Sequence, residues 1–467
     1  VSAPLHALSA AELQAGYAAG RFTPVDVVEA LLARIAALDP TVNAFIRLDA
    51  EGAQAAAVLA TQEIAAGGLR GPLHGVPVGL KDIIDVAGQP TTCHSKIRLD
   101  HRAERDATVV ARLRGAGAIL MGKVATHEFA LGGPCFDLPF PPARNPWNLD
   151  HHPGGSSSGS GAGLAAGFFP LALGSDTGGS TRNPASACGV VGLKPSYGLL
   201  PRTGVFPLSW TLDHVGPMAR SVADVAALTA TLAGHDGDDP GSARVSGWAD
   251  PVAGLEGGVA GLRIGYVRHF HERDMAGTDP EVAAALDAAA AGFAAMGAVV
   301  RDVTLPSLND FAAVNRTILT AEAFAIHQAW LSARPMDYAG LTRNALLVGG
   351  FLTAADLLQA MRLRRRMTAA VEAALSEFDL LLCASSLTLP ARIDDAAEVA
   401  RTYPMHARAP FNVTGHPALA MMSGVSTRGL PTSLQLVGRM FDERLLLRAA
   451  RSWERSLPAF AAPWEQK

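Results

Sequence analysis

The sequence predicts an α/β fold in which a buried, largely parallel sheet is covered by helices. Three observations carry that expectation. The chain has 467 residues, 49% of them hydrophobic, enough for two or three average domains or for one large α/β domain with a substantial core. Helical periodicity fills the first 66 residues. Beyond Gly71, short apolar runs bounded by Gly and Pro alternate with helical segments, the texture of successive βαβ units.

"SAAE", Ser9 to Glu12, is a capping box: hydroxyl and carboxylate each satisfy an orphan amide, so a helix should run toward Gly20. In "TPVDVVEALLARIAALDP", Thr23 can cap and Pro24 takes the first helical position. Val27, Val28, Leu31, Leu32, Ile35 and Leu38 then recur at helical spacing until Pro40. A third helix is expected over 49–66, making 1–66 a helical layer. "VPVGLKDIIDV" (76–86) reads as a strand, "ATVVARLRGAG" (107–117) as a helix and "AILMGKV" (118–124) as a strand. The Gly/Ser tract "HHPGGSSSGSGAG" (151–163) precedes the apolar run "AAGFFPLALGSD" (165–176), and a second Gly-rich loop, "SDTGGSTR" (175–182), follows. The tract is too short and too closely flanked by apolar segments for a free linker. Residues 220–380 read as helical and include the basic "MRLRRRMTAA"; 381–467 return to strand and loop and end in a helix near 443–456.

Several function classes are disfavoured. The formal charge is −4, with 39 Lys+Arg against 43 Asp+Glu scattered along the chain, so no basic face points to nucleic acid or an anionic membrane. Cys93, Cys135, Cys188 and Cys383 form no C-x-x-C pair, which reads as reduced thiols in a cytoplasmic protein. The first residues show no signal-peptide pattern, and the Ala/Gly-rich 282–300 is too weakly apolar for a membrane span, reading instead as a surface helix running into a strand. "HEFAL" (127–131) lacks the second histidine of a zinc motif, adjacent His151 and His152 read as solvated loop residues, and no phosphate-cradling loop has the required spacing. No metal and no cofactor are expected.

Two features carry candidate chemistry. "GSSSG" (155–159) matches the nucleophile-elbow pattern G-x-S-x-G with Ser157 central, an α/β-hydrolase esterase reading that needs an Asp and a His such as His214 or His406. Lys81 is one of only five lysines and sits inside an apolar strand-like run. Burial there should depress its pKa and leave a neutral amine usable as a general base, unless it simply pairs with Asp82 or Asp85.

"GVPVGLKD" (75–82), "PGGSSSGSGAG" (153–163), "GSDTGGSTRNPAS" (174–186) and "CGVVGLKPSYG" (188–198) occur in this order. With "FNVTGHPALAMMSG" and "GLPTSLQLVG" near the C-terminus, they resemble the amidase signature family of Ser-cisSer-Lys hydrolases. The resemblance implies one domain over 1–467: a large central twisted mixed β-sheet with helices on both faces, its signature core at 71–220. It implies an amidohydrolase in which Ser180 is the nucleophile, Ser156 the bridging serine after a cis Gly155–Ser156 peptide, and Lys81 the base. The amides of Thr177, Gly178, Gly179 and Ser180 would form the oxyanion nest, with Ser157, Asp176 and Arg182 in support. A substrate pocket is expected to be walled by 130–147, 206–210 and parts of 315–355, with Gly132, Gly133, Cys135, Phe140 and Trp210 among its residues. Its Phe, Pro, Leu and Trp residues favour an apolar or aromatic amide or a carbamate. The implied protein is a monomer or homodimer acting on a small molecule. Relatives also include the glutaminase subunit of a tRNA-dependent amidotransferase, and a non-catalytic binding protein on the same fold is a further alternative.

Overall fold

The computed structural model describes residues 3–458. One eleven-stranded sheet runs through it. In chain order the strands are β1 (Phe45–Leu48), β2 (Pro77–Lys81), β3 (Ile119–Val124), β4 (Leu171–Asp176), β5 (Val191–Lys194), β6 (His214–Ala219), β7 (Arg263–Tyr266), β8 (Val299–Asp302), β9 (Leu380–Cys383), β10 (Ala418–Val425) and β11 (Pro431–Val437). Their spatial order is β1-β3-β2-β4-β6-β5-β10-β11-β9-β7-β8. Parallel pairing is confined to β3-β2-β4 and to β9-β7-β8, and the pairs between those groups are antiparallel. The sheet is therefore mixed, as the family resemblance implies, and not largely parallel as the local pattern predicts. Strands buried on both faces are continuously apolar in either orientation, so their composition does not encode direction.

The N-terminal caps form as read. Ser9 and Glu12 complete a capping box on Ala10–Ala18, and Thr23 and Asp26 complete another on Pro24–Val42, which tolerates Pro40 in its last turn. The third helix is Ala50–Ala65. Two expectations need correction here. The 1–66 segment is not purely helical, because β1 lies between its second and third helices and pairs antiparallel with β3. The 220–380 segment likewise contributes β7 and β8, four-residue strands too short to stand out among helical neighbours. The 282–300 stretch forms the helix Pro280–Ala295 and then enters β8. No single helix among the described residues is long and apolar enough to cross a membrane.

The Gly/Ser tract departs most from its appearance. Ser158–Ala165 is a fully buried helix. Its glycines are sites of backbone contact: a Cβ on Gly159 would lie 2.3 Å from Ala125 N and 2.4 Å from Ala44 O, and one on Gly163 would lie 2.3 Å from the Phe169 ring. Poor helix formers are used because only they let the helix approach β3 and the β4 turn so closely.

Candidate active site

The ends of β2 and β4 and two Gly-rich turns converge here. Lys81, the last residue of β2, is fully buried, and its Nζ donates to Ser156 Oγ at 2.7 Å and to Ser175 Oγ at 2.8 Å. Asp82 does not neutralise it; the next residue along the strand turns away and pairs with Lys123 at 2.8 Å. Burial lowers the Lys81 pKa to about 7, with the nearby carboxylates of Asp176 and Asp213 opposing. Ser156 follows a cis Gly155–Ser156 peptide and is itself buried. The Ser157 amide donates to Ser180 O at 3.1 Å, fastening the Ser156 turn to the Ser180 loop. Ser180 and Gly178 are half-buried, and so reachable from outside.

The Ser180 loop is held by a buried ion pair. Asp176 and Arg182 are both fully buried and meet at 2.8 Å. Burial works against the Asp176 charge, but the Arg182 guanidinium and the Asn412 amide hold its carboxyl well below the usual carboxylate range. Arg182 also donates to Gln435 Oε1 at 2.6 Å and to Asn412 Oδ1 at 2.7 Å. Asn412 and Gln435 come from the two C-terminal motif segments, "FNVTGHPALAMMSG" and "GLPTSLQLVG". Asp176 Oδ1 also accepts the Gly179 amide at 2.8 Å, which ties the turn to the ion pair. The amides of Thr177, Gly178 and Ser180 meet no acceptor among the described residues. Of the four expected donors, Gly179 is therefore committed to holding the turn. Gly179 has φ +124°, and a Cβ there would lie 2.5 Å from Arg408 Nε.

Other expectations resolve differently. Ser157 is fully buried, and its hydroxyl bonds both the carbonyl and the amide of Ser175 at 3.2 Å. His214 bonds Lys194 Nζ and the backbone, and His406 accepts the Arg408 amide, so the elbow lacks a histidine base among the described residues. Ser158 and Ser160 lie within the helix, Ser160 donating to Leu173 O at 3.1 Å. His152 is buried rather than solvated, its ring bonding the Gly154 and Ala391 amides. His127, set aside with the failed zinc motif, packs on the cis turn: a Cβ on Gly155 would lie 2.2 Å from its ring. Burial, with Lys81 adding to it, pushes the His127 pKa down to about 3. All four cysteines are free and buried, and no cluster among the described residues could hold a metal ion.

A cavity of about 520 Å³ reaches Ser175 and is walled by Ile83, Ala130, Val205, Phe206, Leu208 and Trp210. Of the five predicted pocket residues only Trp210 lines it. Gly133 and Cys135 border a separate cavity of about 10 Å³, a Cβ on Gly132 would face Leu341, and Phe140 presents its carbonyl to His94. Residues 315–355 buttress the wall: Glu322 accepts hydrogen bonds from Ser209 and from the amide and hydroxyl of Thr211. Of the expected walls, 206–210 contributes Phe206, Pro207, Leu208 and Trp210 and 130–147 contributes Ala130, loop residues far apart in sequence that meet only in the fold.

The eleven-stranded mixed sheet thus carries Lys81, Ser156 and Ser175 in contact beside a Gly-rich loop. The amidase family profile matches residues 26–447, and the chain belongs to the amidase family. It is 37% identical to the A subunit of the glutamyl-tRNA(Gln) amidotransferase from Roseiflexus sp. (strain RS-1), over 97% of this chain and 96% of that protein. The solved structure of native peptide amidase from Stenotrophomonas maltophilia superposes with a TM-score of 0.87 at 33% identity, covering 98% of this chain and 99% of that one. A solved chain from a protein complex tied to the origins of an s-triazine catabolic enzyme gives a TM-score of 0.90 at 33% identity, covering 96% and 98%. The fold and the class of amidase-family hydrolase acting on C–N bonds follow.

Proposed function

We propose that the protein is an amidohydrolase of small, largely apolar amides or carbamates, acting through an acyl-enzyme on Ser180. Neutral Lys81 accepts a proton from Ser156, which takes the proton of Ser180 as its Oγ attacks the carbonyl carbon. The Thr177, Gly178 and Ser180 amides are placed to receive the oxyanion. On collapse the relay returns a proton to the leaving amine, and water attacks the acyl-enzyme by the same path in reverse. The observation that carries this reading is the Lys81 Nζ–Ser156 Oγ contact at 2.7 Å by an unneutralised, fully buried lysine. The apolar cavity supports the substrate class: its Arg202 is spent on Asp239 at 2.7 Å, and its Asp213 on Thr177 and two backbone amides. These two charges are therefore not free to take the ammonium and carboxylate of an amino acid.

A second reading is favoured by the names of the curated relatives: glutamine hydrolysis as the A subunit of a tRNA-dependent amidotransferase. The names stand with this alternative more than with a stand-alone amidase. The test is turnover by purified protein, without partners, of an aryl amide, an aryl carbamate and glutamine. The first reading expects aryl turnover and fluorophosphonate labelling of Ser180, both abolished in Ser180→Ala. Glutamine turnover alone would install the second. A protein that is neither labelled nor active would revive the non-catalytic alternative.

A further inference from the structure

Asp213 lines the 520 Å³ cavity, one residue before β6, and its carboxylate makes three hydrogen bonds. Thr177 Oγ1 donates to Oδ1 at 2.6 Å, while the amides of Leu208 and Ser209 donate to Oδ2 at 2.8 and 2.9 Å. One end of this bridge is the residue whose free amide opens the oxyanion nest. The other end is the apolar wall of the cavity. No cation forms a direct ion pair with this carboxylate among the described residues; the nearest arginine contact, Arg202 Nη1 at 3.4 Å, is to the Asp213 carbonyl. Thr177 is held from its other side by Asn315, whose Nδ2 donates to Thr177 O at 3.1 Å. Thr177 is thus held between a helix residue that does not line the cavity and a carboxylate bonded to the Leu208 and Ser209 amides of the wall.

We infer that Asp213 is a positioning residue that couples filling of the apolar cavity to the placement of the Thr177 amide, so that a substrate group seated against Leu208 tightens the oxyanion nest. This rests on the Ser180 acyl-enzyme reading. Chemistry makes the bridge specific. Asparagine could still accept from Thr177 through its carbonyl oxygen, but its NH2 would face two N–H donors where Oδ2 now accepts both. Thr177→Val removes only the hydroxyl link and keeps the side-chain shape.

The experiment is a double-mutant cycle with Thr177→Val and Asp213→Asn, read on p-nitroacetanilide, whose aryl group can fill the cavity, and on acetamide, which cannot. Each single variant should lower kcat on the aryl amide by about 10- to 100-fold. KM should stay within about threefold, the double variant should lose no more than the worse single, and Thr177→Ser should restore the wild-type rate. The parent's kcat preference for the aryl amide should shrink in each variant, a change that mere loosening of the fold would not produce. Losses that multiply in the double variant, or an unchanged aryl-to-acetamide ratio, would overturn the inference. If Asp213→Asn does not fold, the Thr177→Val and Thr177→Ser pair decides by the same ratio. Fluorophosphonate labelling of the parent separates the two levels: an unlabelled, inactive parent defeats the Ser180 reading, whereas a labelled, active parent with a multiplicative cycle defeats only the coupling.

Discussion

The sharpest consequence of the buried lysine is a pH profile. With a pKa of about 7 in place of 10.5, Lys81 is half neutral at neutral pH, whereas an ordinary lysine would be neutral in about 3 of 10,000 molecules. The difference corresponds to about 5 kcal/mol of disfavoured charge and a gain of roughly a thousandfold in the population of usable base. The sign is fixed by the role: the active form is deprotonated, so kcat/KM should climb as pH rises through about 7 and level off above it. At pH 6 the rate should be about a tenth of the plateau, and at pH 8 about nine tenths. The assay is kcat/KM on a chromogenic aryl amide from pH 5 to 9 at constant ionic strength. Lys81→Met should lose both the activity and the ionisation. A flat profile between pH 5.5 and 8.5, or an acid limb centred near 4 to 5, would refute the assignment of a desolvated lysine as the base.

Two further outcomes follow from packing and charge. Gly159→Ala gains helix propensity of about 1 kcal/mol, but its Cβ would meet Ala125 N at 2.3 Å. Backbone cannot step aside, so a net loss of about 2 kcal/mol is expected in urea unfolding, and a variant as stable as its parent would contradict the close-approach account. Arg182→Met leaves Asp176 charged and buried, costing about 3–5 kcal/mol, read as a lower unfolding midpoint. Because the Asp176 pKa is depressed in the folded state, its stabilising contribution is present above the unfolded value of about 4 and is lost as pH falls below it. The variant should therefore lose part of the parent's sensitivity to acid, measured as melting temperature against pH.

Local physical chemistry was legible wherever a side chain serves its immediate neighbours. The capping box at Ser9, the cap at Thr23, the helix Glu443–Ser456 and the unusual setting of Lys81 were readable from a few residues each. The ordered motifs further place Ser156 and Ser180 in one family pattern. What needed the tertiary structure was everything defined by approach. Strand direction was hidden because doubly buried strands carry the same apolar residues in either orientation. Gly159 and Gly163 looked like a loop because close backbone contact and flexibility select the same residue type. Ser175, Asn412, Gln435 and Asp213 belong to the site through partners 36 to 253 residues away. The sequence by itself marked a lysine inside an apolar run and an ordered set of serine- and glycine-rich motifs. Only the fold decided that Gly179 gives its amide to Asp176, and that the apolar wall at Leu208 is tied to Thr177, because hydrogen bonds between distant segments exist only once the sheet has brought them together.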